Sequence, residues 1–247
     1  LSKKEKEILE NQVSLIKKTG FINYFGTQRF SSGSSAKIGK AIIKGDFENA
    51  AKAMLSMHSK NTKEFDDFVL ANWKDWKQIL KKCPRYLGFE SAVLNYLVNN
   101  PTDYAGALRK IPKPTRRIFV RAFQSLIWNR SVSKLVSGKS IILPGHKIIL
   151  PTENFKLPTS LEIPGKDSSY SGNFGKILLS ELKREGVVPN EFRVKAMPEL
   201  EDFGTIRNTI IKPQKLKFEG DWISFELEKG VYATVLLSHL TLSSHKV

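Results

Sequence analysis

The sequence predicts an α+β fold, because helical and strand-like patterns occupy different parts of the chain. From Ala36 to about Val136 apolar residues recur at helical spacing, interrupted by glycines and prolines. Beyond Gly138 the pattern changes to short β-branched runs, and residues 209–227 alternate as strands do. At 247 residues the chain has room for one large domain or two smaller ones.

The composition indicates a folded protein with a polyanionic partner. Hydrophobic residues make up 40% of the chain, and 40 Lys and Arg stand against 24 Asp and Glu, a net charge of +16. Nucleic acid is the partner that best fits this excess, although a solvated basic surface would give the same count. No run of about 18 apolar residues is present to span a membrane, so membrane binding is disfavoured.

The few cysteines and histidines argue against a metal site. Cys83 is the only cysteine, which excludes an intrachain disulfide and a Cys-rich zinc site and favours an intracellular protein. The four histidines lack ligand spacing, so no metal is predicted; they are His58, His146, His239 and His245.

Most of the predicted helices lie in the first half of the chain. A helix is predicted over residues 2–18 and should end near Gly20. Its buried face should carry Ile8, Leu9, Val13 and Ile16. Further helices are predicted over 36–44, 46–58, 62–82, 88–98, 103–109, 115–136 and 172–184.

Strands are predicted mainly after residue 138. They cover 141–143 and 148–150 around the turn Pro144-Gly145, then 209–211, 216–218 and 222–227, with Gly220-Asp221 turning between the last two. The pattern of residues 232–242 fits helix and strand equally.

Three segments bear sequence motifs, whereas the common hydrolase, nucleotide-loop and dinucleotide motifs are absent. Residues 23–30 read N-Y-F-G-T-Q-R-F, residues 121–129 read R-A-F-Q-S-L-I-W-N, and residues 230–234 read G-V-Y-A-T. In order and spacing they resemble the N-Y-F-G-x-Q-R-F, A-[YF]-Q-S-x-x-[FW]-N and G-x-[YF]-A-T elements of the TruD family of pseudouridine synthases.

The resemblance covers nearly all of residues 20–240 and implies both architecture and activity. It implies a mixed-sheet catalytic domain, represented by 1–44 and 212–247, with a largely helical inserted TruD domain over 45–211. It also implies an isomerase that needs no cofactor, detaches uracil from ribose and rejoins it through carbon, with RNA, chiefly tRNA, as partner.

By the same resemblance, three residues form the uridine-binding wall: Asn23, Phe25 and Tyr232. An extruded base needs a flat apolar partner, so a uracil clamped between Phe25 and Tyr232 is the central expectation. For Tyr232 a core position is an equal alternative. Asn23 would orient the catalytic aspartate or the base edge, and Gln28 with Arg29 would hold the loop or a phosphate. Phe21, Tyr24 and Phe30 are assigned to packing.

The segment from Arg109 to Arg121 is the best candidate for a phosphate-contacting patch, formed by Arg109, Lys110, Lys113, Arg116, Arg117 and Arg121. In the 115–136 helix, Phe119, Ala122, Phe123, Leu126 and Ile127 should form a buried stripe. A second face with Arg117, Arg121, Gln124 and Trp128 is open to RNA contact, but Gln124, Ser125 and Asn129 are better explained as structural polar groups.

This sequence departs from the family pattern in three places. The family's nucleophilic aspartate lies in a G-x-K-D-[KR] motif before N-Y-F-G, and no aspartate precedes Asn23 here, so it is expected upstream of Leu1 and the chain alone is expected to be inactive. Gly165-Lys166-Asp167 is interpreted as a loop turn. Ser31 replaces a common glycine, and Ser238-His239 replaces an Arg-Glu pair.

Two other functions stay open. A catalytically dead RNA-binding protein, acting as a chaperone or ribonucleoprotein component, would keep the scaffold without the aspartate. A basic helical protein that contacts DNA would require the three motif matches to be accidental.

Overall fold

A computed structural model of the chain describes residues 2–31, 33–57, 62–220 and 222–243. The helices are α1 (Lys3–Thr19), α2 (Ser34–Lys44), α3 (Phe47–Ser56), α4 (Lys63–Ala71), α5 (Trp76–Lys82), α6 (Gly88–Asn99), α7 (Tyr104–Leu108), α8 (Lys113–Ser133), α9 (Gly172–Arg184) and α10 (Ala233–Thr241). The strands are β1 (Phe21–Ile22), β2 (Lys139–Leu143), β3 (His146–Leu150), β4 (Ser160–Ile163), β5 (Thr205–Asn208), β6 (Ile210–Ile211), β7 (Gln214–Glu219) and β8 (Trp222–Glu226). The α+β class is confirmed.

Helix α1 begins and ends where the sequence indicates. Ser2 and Glu5 form a capping box, and Gly20 stops the helix at φ 77°. Leu9, Val13 and Ile16 are buried, as predicted, whereas Ile8 is only half-buried.

Helices α2 and α8 pack against each other more extensively than any other two elements of the described structure. A side chain at Gly39 would bring a Cβ within 1.9 Å of the Phe119 carbonyl oxygen, so the two backbones approach as only glycine permits. The predicted apolar stripe of α8 is buried. Trp128, assigned to a face open to RNA, is fully buried instead.

The single helix predicted over 62–82 is wrong. The structure has two helices, α4 and α5, separated by a turn in which Lys74 adopts φ 81°. The Asp75 side chain accepts a hydrogen bond from the Gln78 N–H and so caps the start of α5.

The strands pair as four antiparallel ribbons: β1 with β6, β2 with β3, β4 with β5, and β7 with β8. The mixed sheet implied by the resemblance is therefore not present among the described residues. The prediction of a hairpin formed by β2 and β3 is confirmed, whereas the sequence pattern predicted none of β1, β4 and β5. Gly220 turns between β7 and β8 at φ 63°; Asp221 lies outside the described residues.

The ambiguous segment near the carboxyl end is helical. Residues 233–241 form α10, which packs on α1 and so joins the two ends of the described chain. His58, at the end of a predicted helix, and His245 lie outside the described residues. Within those residues, no helix has the length and apolarity needed to cross a membrane.

Candidate functional site

A cavity of about 510 Å³ opens where segments far apart in the sequence meet. Its wall is built from the 23–29 loop, from α8, and from the segments around β5 and residue 230. The described lining includes Asn23, Phe25, Arg29, Arg121, Gln124, Asp202, Arg207, Glu228, Lys229, Gly230 and Val231. The volume lies in the range of small-molecule sites, about 300–1,000 Å³.

Asn129 of α8 fixes the loop at Phe25. Its Oδ1 accepts a hydrogen bond from the Phe25 N–H at 3.0 Å, and its Nδ2 donates to the Phe25 carbonyl at 2.9 Å. The same Nδ2 also lies 3.0 Å from His146 Nε2. The prediction that Asn129 is a structural polar group joining the helix to a loop is thus confirmed.

The same prediction is confirmed for Gln124 but not for Ser125. Gln124 Nε2 donates to the Pro164 carbonyl and to Asp202, so it does join α8 to loops. Ser125 donates to the carbonyl of Arg121 within its own helix.

Asn23 holds an arginine rather than a carboxylate or a base. The Arg207 Nε and Nη2 donate to the Asn23 carbonyl and Oδ1 at 2.8 and 2.7 Å, while Asn23 Nδ2 donates to the Asn208 carbonyl at 3.0 Å. The sequence motifs assign no role to Arg207.

The surroundings of Phe25 rule out a base sandwiched between Phe25 and Tyr232 in this conformation. The two ring centroids are 6.3 Å apart with the planes inclined at 63°, so the rings touch edge to face and leave no slot between them. The Arg207 guanidinium lies 3.9 Å from the centroid of Phe25, at stacking distance. Phe25 therefore lines the cavity with Arg207 covering its ring.

Tyr232 meets the 23–30 loop through a glycine. A Cβ at Gly26 would lie 2.8 Å from Tyr232 Cδ1, so the loop and the carboxyl-terminal segment are in direct contact. The structure thus brings the Tyr232 segment beside Asn23 and Phe25, and Gly230 and Val231 supply the cavity lining from that segment. The assignment of Asn23, Phe25 and Tyr232 to a uridine-binding wall stays a prediction.

Arg29 lies beside the same ring. Its guanidinium carbon is 5.4 Å from the Phe25 centroid, and its buried Nε has no hydrogen-bond acceptor among the described residues. Gln28 is exposed, so its predicted role in supporting the loop or a phosphate stays a prediction.

Arg207 keeps its charge despite its environment. Burial lowers the pKa of its guanidinium to about 10, with an opposing effect from Tyr232 and a smaller lowering from the neighbouring charge of Arg29. At neutral pH the cavity therefore contains a fixed cation.

The predicted phosphate-contacting patch is only partly exposed. Arg116 is buried and pairs with Glu199 at 2.6 Å, and Arg109 pairs with the same carboxylate at 3.2 Å. Burial alone would raise the pKa of Glu199, but hydrogen bonds from Arg116 and Arg109 outweigh it and lower that pKa to about 2. The position of Arg116 is incompatible with an RNA contact, and we withdraw it from the patch.

The exposed members of the patch form a stripe that leads to the cavity. Lys113, Arg117 and Arg121 are exposed at four-residue intervals on α8, hence on one face, and Arg121 also lines the cavity. Arg121 pairs with Asp202 at 3.4 Å, and Lys110 lies over the ring of Tyr96 at 4.5 Å.

Asp202 also lines the cavity, and no sequence motif pointed to it. Its Oδ1 accepts hydrogen bonds from Gln124 at 2.9 Å and from the Gly204 N–H at 3.1 Å, and its Oδ2 faces Arg121. These donors stabilise the carboxylate as a structural anchor. Gly165-Lys166-Asp167 forms a turn, as interpreted from the sequence.

Comparison with known proteins gives consistent matches. The profile of the family described as tRNA pseudouridine synthase D (TruD) matches residues 1–240.

The chain belongs to the TruD family.

Its TruD relatives include proteins named as probable tRNA pseudouridine synthase D. That of Methanopyrus kandleri is 33% identical over 233 residues, covering 90% of this chain and 58% of the relative. That of Thermoplasma volcanium is 32% identical over 263 residues, covering 94% and 63%. A crystal structure assigned as TruD from Methanosarcina mazei superimposes with a TM-score of 0.75 at 26% identity, covering 98% of this chain and 65% of that one. The chain thus spans about three fifths of these relatives' length.

The structure shows the surroundings of two residues that depart from the TruD pattern, Ser31 and His239. Ser31 adopts φ 51°, a left-handed conformation that glycine takes without strain, and its hydroxyl lies 3.1 Å from that of Ser35. His239 is buried between Phe21 and Tyr24, with ring centroids at 5.5 and 6.1 Å, and burial lowers its pKa to about 4. A neutral ring in the core therefore occupies the position of the charged family residue.

Proposed function

We propose that the protein is an RNA pseudouridine synthase acting chiefly on tRNA, and that this chain forms the uridine-binding wall and part of the RNA-contacting surface. The observation that supports this most directly is the convergence of the N-Y-F-G loop and the 230–232 segment at one cavity of about 510 Å³. The names of the relatives point to the same activity.

The proposed reaction is an isomerisation, so the protein must hold the uridine in place but needs no redox partner. The bond from C1′ to N1 of uracil breaks, the base turns, and a bond from C1′ to C5 forms; C5 loses a proton and N1 gains one. Because no electrons are exchanged overall, no cofactor is needed. An extruded uridine would enter the cavity beside Asn23, Phe25 and the Tyr232 segment.

We infer that the nucleophilic aspartate comes from a part of the TruD fold that this chain does not span. The relatives extend well beyond the matched region. In addition, the cavity aspartate, Asp202, is engaged by three donors that favour a structural role.

Basic residues on α8 are suited to guide the RNA. The stripe of Lys113, Arg117 and Arg121 runs along one face of the helix toward the cavity, and Lys113 and Arg117 have no carboxylate partner among the described residues. With a net charge of +16, the chain should bind RNA with marked salt dependence.

Tritium release tests this function against the RNA-binding alternative. With tRNA that contains [5-³H]uridine, the complete gene product should release tritium, while the 247-residue chain alone should bind RNA and release none. Release by the chain alone would contradict the external nucleophile. RNA binding without release by the complete protein would support the catalytically inert alternative.

A further inference from the structure

A second, smaller cavity lies on the helical part of the chain, separate from the cavity beside Phe25. It opens between α4 and the turn that joins α5 to α6, and it has a volume of about 280 Å³. Its walls include Phe68, Pro84 and Tyr86. Among the described residues, none between Arg29 and Arg121 lines the larger cavity, so the two cavities share no part of their walls.

Aromatic rings are exposed at this smaller cavity. The side chain of Tyr86 is 72% exposed, and it has no hydrogen bond or ring contact in the part of the chain that the structure describes. Phe68 is half-buried, and the Lys82 Nζ lies 5.6 Å from its ring centroid. Phe89, in the first turn of α6, is also exposed. Exposed rings next to cations are typical of proteins that bind single-stranded nucleic acid.

The segment that carries Tyr86 is strongly basic. Residues 77–89 contain four cations and no acid, and the cations are Lys77, Lys81, Lys82 and Arg85. All four are exposed, and none pairs with a carboxylate among the described residues. The phosphates of a nucleic acid would compensate several such charges at once, with release of condensed counterions. The charge of this segment therefore favours a nucleic-acid backbone as its partner.

We propose that this surface, formed by Lys81, Lys82, Arg85 and Tyr86, binds an unpaired segment of RNA outside the catalytic cavity. An unpaired base stacks on the ring of Tyr86, at the cavity of about 280 Å³, while the three cations contact the flanking phosphates. Bases within a duplex are stacked on their neighbours, so the ring selects nucleotides of loops and ends. That this RNA is the substrate rests on the proposed function, whereas the binding of unpaired RNA does not.

The cavity also contains a group that can distinguish bases. Glu64 is part of its described lining, and a carboxylate accepts a hydrogen bond from the exocyclic N4 amino group of cytosine. Uracil has an oxygen at that position and cannot donate there. Oligocytidylate is therefore the probe of choice, and because it contains no uridine it tests the surface apart from catalysis.

The stacking contact is tested with two substitutions of Tyr86. We expect a fluorescently labelled oligocytidylate of about eight nucleotides to bind the complete gene product. Tyr86→Ala should weaken this binding roughly tenfold, whereas Tyr86→Phe, which keeps the ring, should bind as the wild type does. Fluorescence anisotropy titrations measure all three affinities. Because the Tyr86 side chain is exposed, both variants should keep the thermal melt of the wild type.

The phosphate contacts are tested by salt dependence. Arg85→Gln should reduce the slope of log affinity against log salt by about 0.7, the value for one phosphate of a single strand. Lys183→Gln makes the same change of charge at an exposed position in the last turn of α9 and should leave the slope unchanged. Equal slopes in the two variants would refute the contact between Arg85 and a phosphate.

Equal affinities of Tyr86→Ala and the wild type, or no binding of oligocytidylate by the complete gene product, would overturn the proposal. An oligoglutamate of the same charge should bind more weakly and independently of Tyr86; equal affinity would indicate a site for an acidic protein segment and would overturn the assignment to RNA. Binding that depends on Tyr86 in a complete protein that releases no tritium would refute the proposed function and leave this surface standing. Tritium release with an affinity that does not depend on Tyr86 would refute this surface alone.

Discussion

Asn23 and Phe25 show how far a motif can be interpreted residue by residue. The resemblance implies that they lie near the 230–232 segment, and the structure places them there; their role at the uridine stays a prediction. The partner that they share, Arg207, could not be predicted, because it lies 184 residues after Asn23 and short-range patterns contain no information on such a contact.

Replacing Phe25 by alanine should slow uridine isomerisation more than it weakens RNA binding. The ring lines the cavity and supports Arg207, so its loss disturbs the nucleotide's position rather than the electrostatic attraction. A partly desolvated cation–π contact such as that between Phe25 and Arg207 is worth about 2 kcal/mol, which corresponds to roughly thirtyfold in rate. Single-turnover rates and dissociation constants measured on one tRNA would test this; equal losses in both would count against it.

Asn129→Ala should destabilise the protein by about 3 kcal/mol, because it leaves both backbone polar groups of Phe25 and the ring of His146 without their partner. Urea unfolding would measure the change. Asn95→Ala is a matched control, since Asn95 lies on the exposed face of α6 and its side chain donates only to Ser91 of the same helix. Its loss should change the free energy of unfolding by less than about 0.5 kcal/mol. Similar values for the two variants would contradict the role of Asn129.

At the scale of elements, helices were predicted well and their interruptions less well. The apolar pattern continues through 62–82, so it concealed the turn at Lys74 and the cap at Asp75. The strands were harder, because β1 and β6 are two residues each and pair across the length of the chain. The register of such a pair depends on packing that no local pattern shows.

Lys74→Gly should stabilise the protein by about 1 kcal/mol, since glycine adopts φ 81° without strain. The ion pair that is lost, from Lys74 to Glu48 at 3.3 Å, is solvent-exposed and contributes little. Thermal unfolding of Lys74→Gly and Lys74→Ala separates the two effects, because alanine removes the ion pair and keeps the strain. Equal stability of both variants would refute the strain argument.

Substitution of the exposed Arg117 and of the buried Arg116 on α8 should affect different properties of the protein. Arg117→Gln should lower the salt dependence of RNA binding, by about one unit in the slope of log affinity against log salt, without affecting stability. Arg116→Gln should instead lower the free energy of unfolding, because it leaves Glu199 without its buried partner. Salt titrations and urea melts of both variants are the measurements; a reduced slope without destabilisation in Arg116→Gln would restore it to the RNA surface.

At the scale of the whole molecule, the fold class followed from the sequence, and the division into 1–44, 45–211 and 212–247 stays a prediction. The class was accessible because helical and strand periodicities occupy separate regions. The pairing of β4 with β5 was not, since Leu161 and its partner Arg207 are brought together only by the tertiary fold.

Stability should fall on mild acidification. Burial lowers the pKa of His146 to about 4, with Arg130 adding to the effect and the Pro144 carbonyl opposing it, and burial lowers that of His239 to about 4. Both are neutral in the folded protein and have ordinary pKa values when unfolded. Their contribution is therefore complete above pH 6.5 and is lost as the pH falls toward 4.

When the pH is lowered from 7 to 5, each of these two histidines should lower the free energy of unfolding by about 2 kcal/mol, because it takes up a proton only in the unfolded chain. Urea unfolding of the wild type and of His146→Gln over this interval would measure it, with the variant showing a smaller dependence. Glu199 acts at lower pH. Because its pKa is lowered to about 2, its contribution to the free energy of unfolding is lost only as the pH falls from about 4.5 toward 2. If the free energy of unfolding depends on pH equally in His146→Gln and in the wild type, His146 does not contribute to that dependence.

The contact between Gly26 and Tyr232 has a consequence for biosynthesis. A ribosome releases the amino end first, so the loop that bears Asn23 and Phe25 emerges some two hundred residues before the segment that completes its pocket. The ring of Phe25 therefore lacks its contacts with Arg207 and Tyr232 during most of the synthesis of the chain. The cavity wall is completed only when residues 207 to 232 have emerged.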